Sequence, residues 1–184
     1  MPSDLLQMEA LTMIEVLVPE NGKEVLWGEV TNGGTRVLSV PVFAYGISRN
    51  AIVDVETHGA RARLVSIIRP SEGATIRCYS NGSISPSVLY QQQILSAALR
   101  LKISVGPATF FNPDIVAFHL ASRANLPVIT SALDQLANEG KLHFWELGDP
   151  DTEKEDVSPS AHEKAWELVH QLPIDGESGS VDMH

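Results

Sequence analysis

Between Arg69 and Arg77 two arginines, two hydroxyls and a carboxylate fall within nine residues: Arg69, Ser71, Glu72, Thr75 and Arg77. Guanidinium groups grip carboxylates and phosphates through paired N–H donors, and hydroxyls add further donors, so this run could hold an anionic ligand. The plainer alternative is a solvated strand face on which Glu72 forms a structural ion pair. If the run from Ala74 is a strand, Thr75, Arg77 and Tyr79 share one face and Ile76 and Cys78 the other. Cys78 therefore points toward a core, where a thiol behaves as a small apolar group rather than as a nucleophile served by His119 or His143.

The six histidines show no HxxxH or HExxH spacing, and one cysteine allows no CxxC, so no metal site is expected. The glycines form neither a GxGxxG nor a GxxxxGK[ST] loop, and no cofactor is expected. Trp27, Phe43 and Tyr45 lie in short β-rich segments, where they either line a shallow binding face or pack a barrel's core and rim. Trp166 lies far along the chain, in a segment that could bind a partner or dock on the chain's own core.

The elements that position these residues change in texture near residue 73. Met13 to Pro19, Lys23 to Val30, Arg36 to Val40, Ile52 to Glu56 and Arg61 to Arg69 are β-branched, apolar or alternating runs separated by turn signals. Thr31-Asn32-Gly33-Gly34 is the strongest hairpin signal, because Asn and Gly tolerate positive φ. Five short strands without a helix predict a small curled antiparallel sheet or barrel over residues 12–73.

Residues 74–148 read differently. A strand from Ala74 to Ser80 precedes Ser85-Pro86, a capping hydroxyl before a helix-opening proline. The helix that follows, to about Lys102, carries Val88, Ile94, Leu95, Ala98, Leu99 and Leu101 on a wide apolar face. Strands are predicted from Ala108 to Phe111 and from Asp114 to Leu120. Pro127 opens a second helix with Ile129, Leu133 and Leu136 on one face and Gly140 as its cap, and Leu142 to Leu147 is the last strand. The order βαββαβ predicts a ferredoxin-like half, making the whole an α+β protein. Each half is too small to bury much core alone, so the two are expected to pack as one unit. Residues 1–11 read as an N-terminal extension. Residues 149–184 read as an acidic linker and a tail helix from Ser158 to about Leu172, in which Ala161, Ala165, Leu168 and Leu172 are spaced for one face.

Three spaced pieces, Glu24 to Trp27, Val40 to Ile47 and Ser71 to Arg77, together with Asn112 to Ala117 and Leu133 to Trp145, resemble the DUF4265 family, a bacterial family of unknown function. The resemblance spans about residues 12 to 150 and implies that the two halves belong together. The chain departs from the family's pattern at Asn50, where an Asp is usual, and near Ala74, where a His or Asn precedes the hydroxyl residue. The family name implies no activity.

Bulk properties narrow the functional classes. The formal net charge is −10, of which residues 149–184 carry −8 and the first 148 residues −2. A nearly neutral body with an anionic tail offers no counterion-releasing surface, so nucleic acid is not an expected partner. No apolar run reaches the roughly 18 residues that span a bilayer, and the first ten residues lack the pattern of a secretory signal. A lone thiol fits a reducing cytoplasm. The expected function is non-enzymatic protein binding or regulation of bacterial type, in the manner of immunity proteins. The alternative is a small-molecule enzyme, or an accessory protein of a modification or biosynthetic cluster, that uses the Arg69 to Arg77 residues.

Overall fold

A computed structural model describes residues 10–18, 22–59, 61–111 and 113–148. The predicted N-terminal extension up to residue 9, the acidic linker and the tail helix with Trp166 lie outside the described residues.

In β1 (Leu11–Val18) the side chains of Ile14 and Val16 turn inward and those of Leu11 and Leu17 outward, as period-two alternation requires. β1 pairs antiparallel with β2 (Gly22–Thr31), placing Ile14 opposite Leu26. The Thr31–Gly34 turn leads to β3 (Gly34–Val37), with the Thr31 hydroxyl donating to the Gly34 carbonyl at 2.7 Å and Gly34 at φ +129°. β4 (Ile52–His58) and β5 (Arg61–Arg69) complete the set, and β5 closes on β1 in parallel register at Ile14 and Ala62. The result is a closed five-stranded barrel filled by Ile14, Val16, Leu26, Val37, Ala44, Ile47, Ala51 and Val53. So narrow a barrel has room only for side chains. At Gly28 even a methyl group would meet Ile14 Cδ1 at 2.5 Å and Thr35 Cγ2 at 2.6 Å.

The third strand is shorter than the sequence predicts. It ends at Val37 rather than Val40. The N–H groups of Leu38 and Ser39 both turn to the Trp27 carbonyl, the Ser39 hydroxyl accepts the Trp27 N–H at 2.8 Å, and Pro41 has no N–H to continue a ladder. Residues 38–51 consequently leave the barrel wall as an irregular strap.

The second sheet contains β6 (Ala74–Tyr79), β7 (Val105–Phe111), β8 (Ile115–Leu120) and β9 (Phe144–Leu147) in the order β7-β8-β6-β9, each neighbour pair antiparallel. Helical segments cover one face. Ala74, Ile76, Cys78, Val116, Phe118 and Leu120 pack with Leu89, Ile94 and Ala98 and with Ile129, Leu133 and Leu136. The last three lie on α3 (Leu126–Asn138), as its spacing predicts.

The first helical stretch departs from its predicted face. It runs as α1 (Pro86–Val88), a π-helical segment (Leu89–Ile94) and α2 (Leu95–Arg100). The wider turn brings Leu89, Tyr90 and Ile94 into the core, and the added residue shifts the register of α2. Val88, Leu99 and Leu101, predicted to face inward, are exposed, Leu99 by 77%.

Candidate functional site

The sheet's other face is where the polar residues gather. Thr75, Arg77 and Tyr79 of β6, Ala117 and His119 of β8, and Glu146 of β9 point away from the helices. They do not meet solvent: Arg77 and Thr75 have no exposed surface, and Tyr79, His119 and Glu146 are buried. The strap from the barrel lies against them.

Arg77 is the centre of one network. Its Nη2 donates to the Ala44 carbonyl at 2.6 Å, its Nη1 lies 3.5 Å from Glu146 Oε1, and its guanidinium carbon sits 4.1 Å from the centroid of the Tyr45 ring. The same Glu146 oxygen accepts the Tyr45 hydroxyl at 2.7 Å and the Tyr79 hydroxyl at 2.9 Å. Gly148 admits the guanidinium because it has no side chain: a Cβ there would stand 2.9 Å from Nη2. Its N–H donates to Thr75 O and its carbonyl accepts from Gly46, tying strap, β6 and β9 together. Burial, reinforced for Tyr79 by the Glu146 charge, pushes both phenols well above the ordinary tyrosine range. They stay protonated and act as donors, so the arrangement neutralises and fixes a buried carboxylate.

A second polar group adjoins it on the same face. Ser48 and Thr75 hydroxyls are 3.1 Å apart, and His119 is the register partner of Thr75 across β6 and β8. His119 is 3% exposed, and its Nδ1 has no hydrogen-bond partner among the described residues. Burial, followed by the nearby Arg49 charge, holds its pKa below the ordinary histidine value, against a hydrogen bond to the Ala74 backbone. Side chains at Gly73 and Gly106 would collide with or crowd its ring, so the imidazole fills a close-fitting slot.

The residues singled out from sequence are divided by this geometry. Arg69 and Glu72 are exposed, and the Ser71 hydroxyl caps its own turn by accepting from Gly73 N at 3.1 Å. Only Thr75 and Arg77 enter the buried group, so the Arg69 to Arg77 run does not converge on one ligand. The expected ion pair with Glu72 is replaced by one with Glu146, because alternation turns Arg77 toward the strap while Glu72 precedes the strand on the surface. Tyr45 joins the buried network, and Phe43 packs edge-on against Phe111 with centroids 4.6 Å apart. Trp27 is apart from all of these, 54% exposed on the barrel's outer wall beside Leu11, Leu17 and Val25, which are also exposed. Cys78 is fully buried on the helix side, and burial pushes its thiol pKa up. Sequence reading missed Ser48, Tyr79, His119 and Glu146 as a group. The signals present were the alternation that puts Tyr79 on one face with Thr75 and Arg77, and a lone carboxylate in the closing strand LHFWEL. No three His, Cys, Asp or Glu side chains gather as a metal site among the described residues.

The sequence pattern of a family described as a domain of unknown function, DUF4265, matches residues 24–144. The chain belongs to the DUF4265 family. The DUF4265 region contains Tyr45, Ser48, Thr75, Arg77, Tyr79 and His119, and ends just before Glu146. Among solved structures, a hypothetical protein from Neisseria gonorrhoeae is similar, with a TM-score of 0.59 at 15% identity over 77% of this chain and 94% of that one. That likeness concerns the fold alone. No curated protein matches the sequence.

Proposed function

We propose that this DUF4265 chain is a non-enzymatic protein-binding or regulatory protein, immunity-like in manner, working in the cytoplasm through the outer wall of its barrel. The observation that carries this reading is the exposure of Leu11, Leu17, Val25 and Trp27 on one face of β1 and β2, where they are interspersed with Glu15, Lys23 and Glu29. Large apolar side chains gathered in water on one face of a sheet are a usual mark of a protein contact, here with charged residues among them, and Trp is the residue most often found to dominate one. Arg77, Glu146, Tyr45 and Tyr79 are meanwhile engaged with one another, and Ser48 with Thr75, beneath the strap. A small-molecule reading built on Arg69 to Arg77 would need Arg77 to be reachable, and Arg77 has no exposed surface. Trp166 would supply a second contact from the tail. We read the four-stranded half as ferredoxin-like. In support, the two helical connections lead from β6 to β7 and from β8 to β9, and strand order β7-β8-β6-β9 leaves the first and third strands of the half at the centre.

The test compares surfaces. The tagged full chain, its Trp27→Glu variant and its Leu99→Glu variant are used to capture partners from native lysate, Leu99 being an exposed apolar residue on the opposite layer. A partner retained by the wild type and by Leu99→Glu but lost with Trp27→Glu supports the reading. Equal retention by all three, or no specific capture by the wild type, removes it.

A further inference from the structure

Glu24 shares the inward side of β2 with Leu26, opposite Val16 of β1, and is not part of the Arg77 network. Its side chain is half-buried, on the opposite side of the strand from exposed Lys23 and Val25. Its carboxylate accepts three consecutive backbone N–H groups of the strap: Val42 at 2.7 Å, Phe43 at 3.0 Å and Ala44 at 2.7 Å. Successive N–H groups converging on one point form a concave anion site made of backbone alone, and such a site selects by charge and size rather than by side-chain identity. Hydrogen bonds to an ionised acceptor are also about twice as strong as neutral ones.

The same three residues lead straight into the buried network. Ala44 offers its N–H to Glu24 and its carbonyl to Arg77, so the peptide units on either side of one residue hold both charges. Tyr45, next in the chain, reaches Glu146, and Gly46 donates to the Gly148 carbonyl beyond β9. A displacement of residues 42–44 would therefore move the acceptor of Arg77 and the donor of Glu146 together.

We propose that residues Val42–Ala44 form a carboxylate-binding site whose resident ligand is the chain's own Glu24, and that filling it locks the barrel's strap onto the four-stranded sheet. Glu24 is thus a positioning residue. It acts on Arg77 and Glu146 through the backbone and touches neither. The site takes small carboxylates as a class, and removal of the Glu24 side chain beyond Cβ leaves a space of about the size of acetate.

Chemical rescue tests this in the full chain. Glu24→Ala should melt roughly 4–10 °C below wild type, as expected for the loss of charge-assisted hydrogen bonds in a protein of this size. Acetate should raise its Tm in a saturable way, recovering about half of the loss at high occupancy. Chloride at matched ionic strength should not, nor should acetate act comparably on wild type. Hydrogen exchange read by mass spectrometry should be faster in Glu24→Ala for peptides covering both 42–46 and 144–148, and acetate should slow both. Glu24→Gln, which leaves one neutral oxygen for three donors, should show an intermediate Tm and no acetate response. An alanine variant that folds only in acetate would equally support the site. Acetate stabilising Glu24→Ala no more than chloride does, or Glu24→Gln matching wild type in Tm and exchange, overturns the carboxylate site. Unchanged exchange at 144–148 in a destabilised Glu24→Ala overturns the lock.

Discussion

The two faces of β6 are equally hidden from water and built from opposite chemistry. On the helix side Ala74, Ile76 and Cys78 meet a wholly apolar layer. On the strap side Thr75, Arg77 and Tyr79 meet Ser48, Ala44, Tyr45 and Glu146. The apolar face adapts to its cover by side-chain packing, which is tolerant of exchange between residues of similar volume. The polar face depends on its charged groups finding partners, because a buried charge left alone costs several times more than a lost contact, even though Arg77 Nε and His119 Nδ1 have no partner among the described residues. One face therefore supplies area and the other supplies orientation: many arrangements of helices could cover Ile76, and few positions of the strap would satisfy Arg77.

The sharpest way to break that contrast is to remove the charge from the polar face. Arg77→Met should destabilise the protein by about 3–5 kcal/mol, since it strands the Glu146 carboxylate in a closed site. That is a large part of the roughly 5–15 kcal/mol that holds a domain together. Arg77→Met combined with Glu146→Leu should cost clearly less than Arg77→Met alone, because the charge and its orphan leave together. Urea melts of both single variants and the double give the coupling energy. A double variant as unstable as the sum of the singles would mean that Arg77 and Glu146 are not coupled, and that Arg77 contributes through its other contacts, the Ala44 carbonyl and the Tyr45 ring. A smaller cut sharpens the same point. Tyr79→Phe removes one of three donors to Glu146 Oε1 and should cost about 1.5 kcal/mol, whereas Cys78→Ala on the opposite face loses only a small apolar group.

The polar face also titrates where the apolar one cannot. His119 is held below the ordinary histidine value of 6.5 by burial and by Arg49. Above that value neither folded nor unfolded chain protonates it, and it adds no pH dependence. As pH falls through 6.5 the unfolded chain takes up a proton that the folded one refuses, so stability declines until the folded-state value is reached, with a slope of at most about 1.4 kcal/mol per pH unit. His119→Gln should flatten the decline in stability that sets in as pH falls below 6.5, above the range in which ordinary carboxylates titrate. An unchanged slope in that variant would assign the acid sensitivity elsewhere.

Much of this fold was legible because its strands announce themselves by alternation and its turns by Asn, Gly and Pro. Val16, Ile52 and the Arg61 to Arg69 run fell into strands, and Ile129, Leu133 and Leu136 faced the core at their helical spacing. What alternation could not report was the cover over the second face. Thr75, Arg77 and Tyr79 read as a solvated face because polar side chains normally meet water, and only the strap contradicts this. Leu99 and Leu101 were misplaced for a local reason, since one π-helical turn before them changes the angle per residue and no residue type marks it. Glu146 and Glu24 were separated from their partners by many residues, and the relation between a carboxylate and a distant backbone N–H leaves no spacing in the chain.

The smallest expected effect belongs to the outermost residue. Trp27 stands opposite Met13 across β1 and β2, and its backbone is held by Ser39, while its ring is about half in water. Replacing an exposed side chain away from caps, turns and buried partners usually changes stability by no more than about 0.5 kcal/mol. Trp27→Ser keeps the backbone bonds and removes only the ring, so its urea midpoint should stay within that margin of wild type. The comparison with Arg77 then becomes a separation of roles. If a large aromatic can be removed from the barrel wall without loss of stability, the fold does not require it there, and its effect on partner capture is free of any unfolding. A loss of about 2 kcal/mol or more would instead show that the ring is part of the packing, and Leu11, Leu17 and Val25 would have to stand as a contact surface without it.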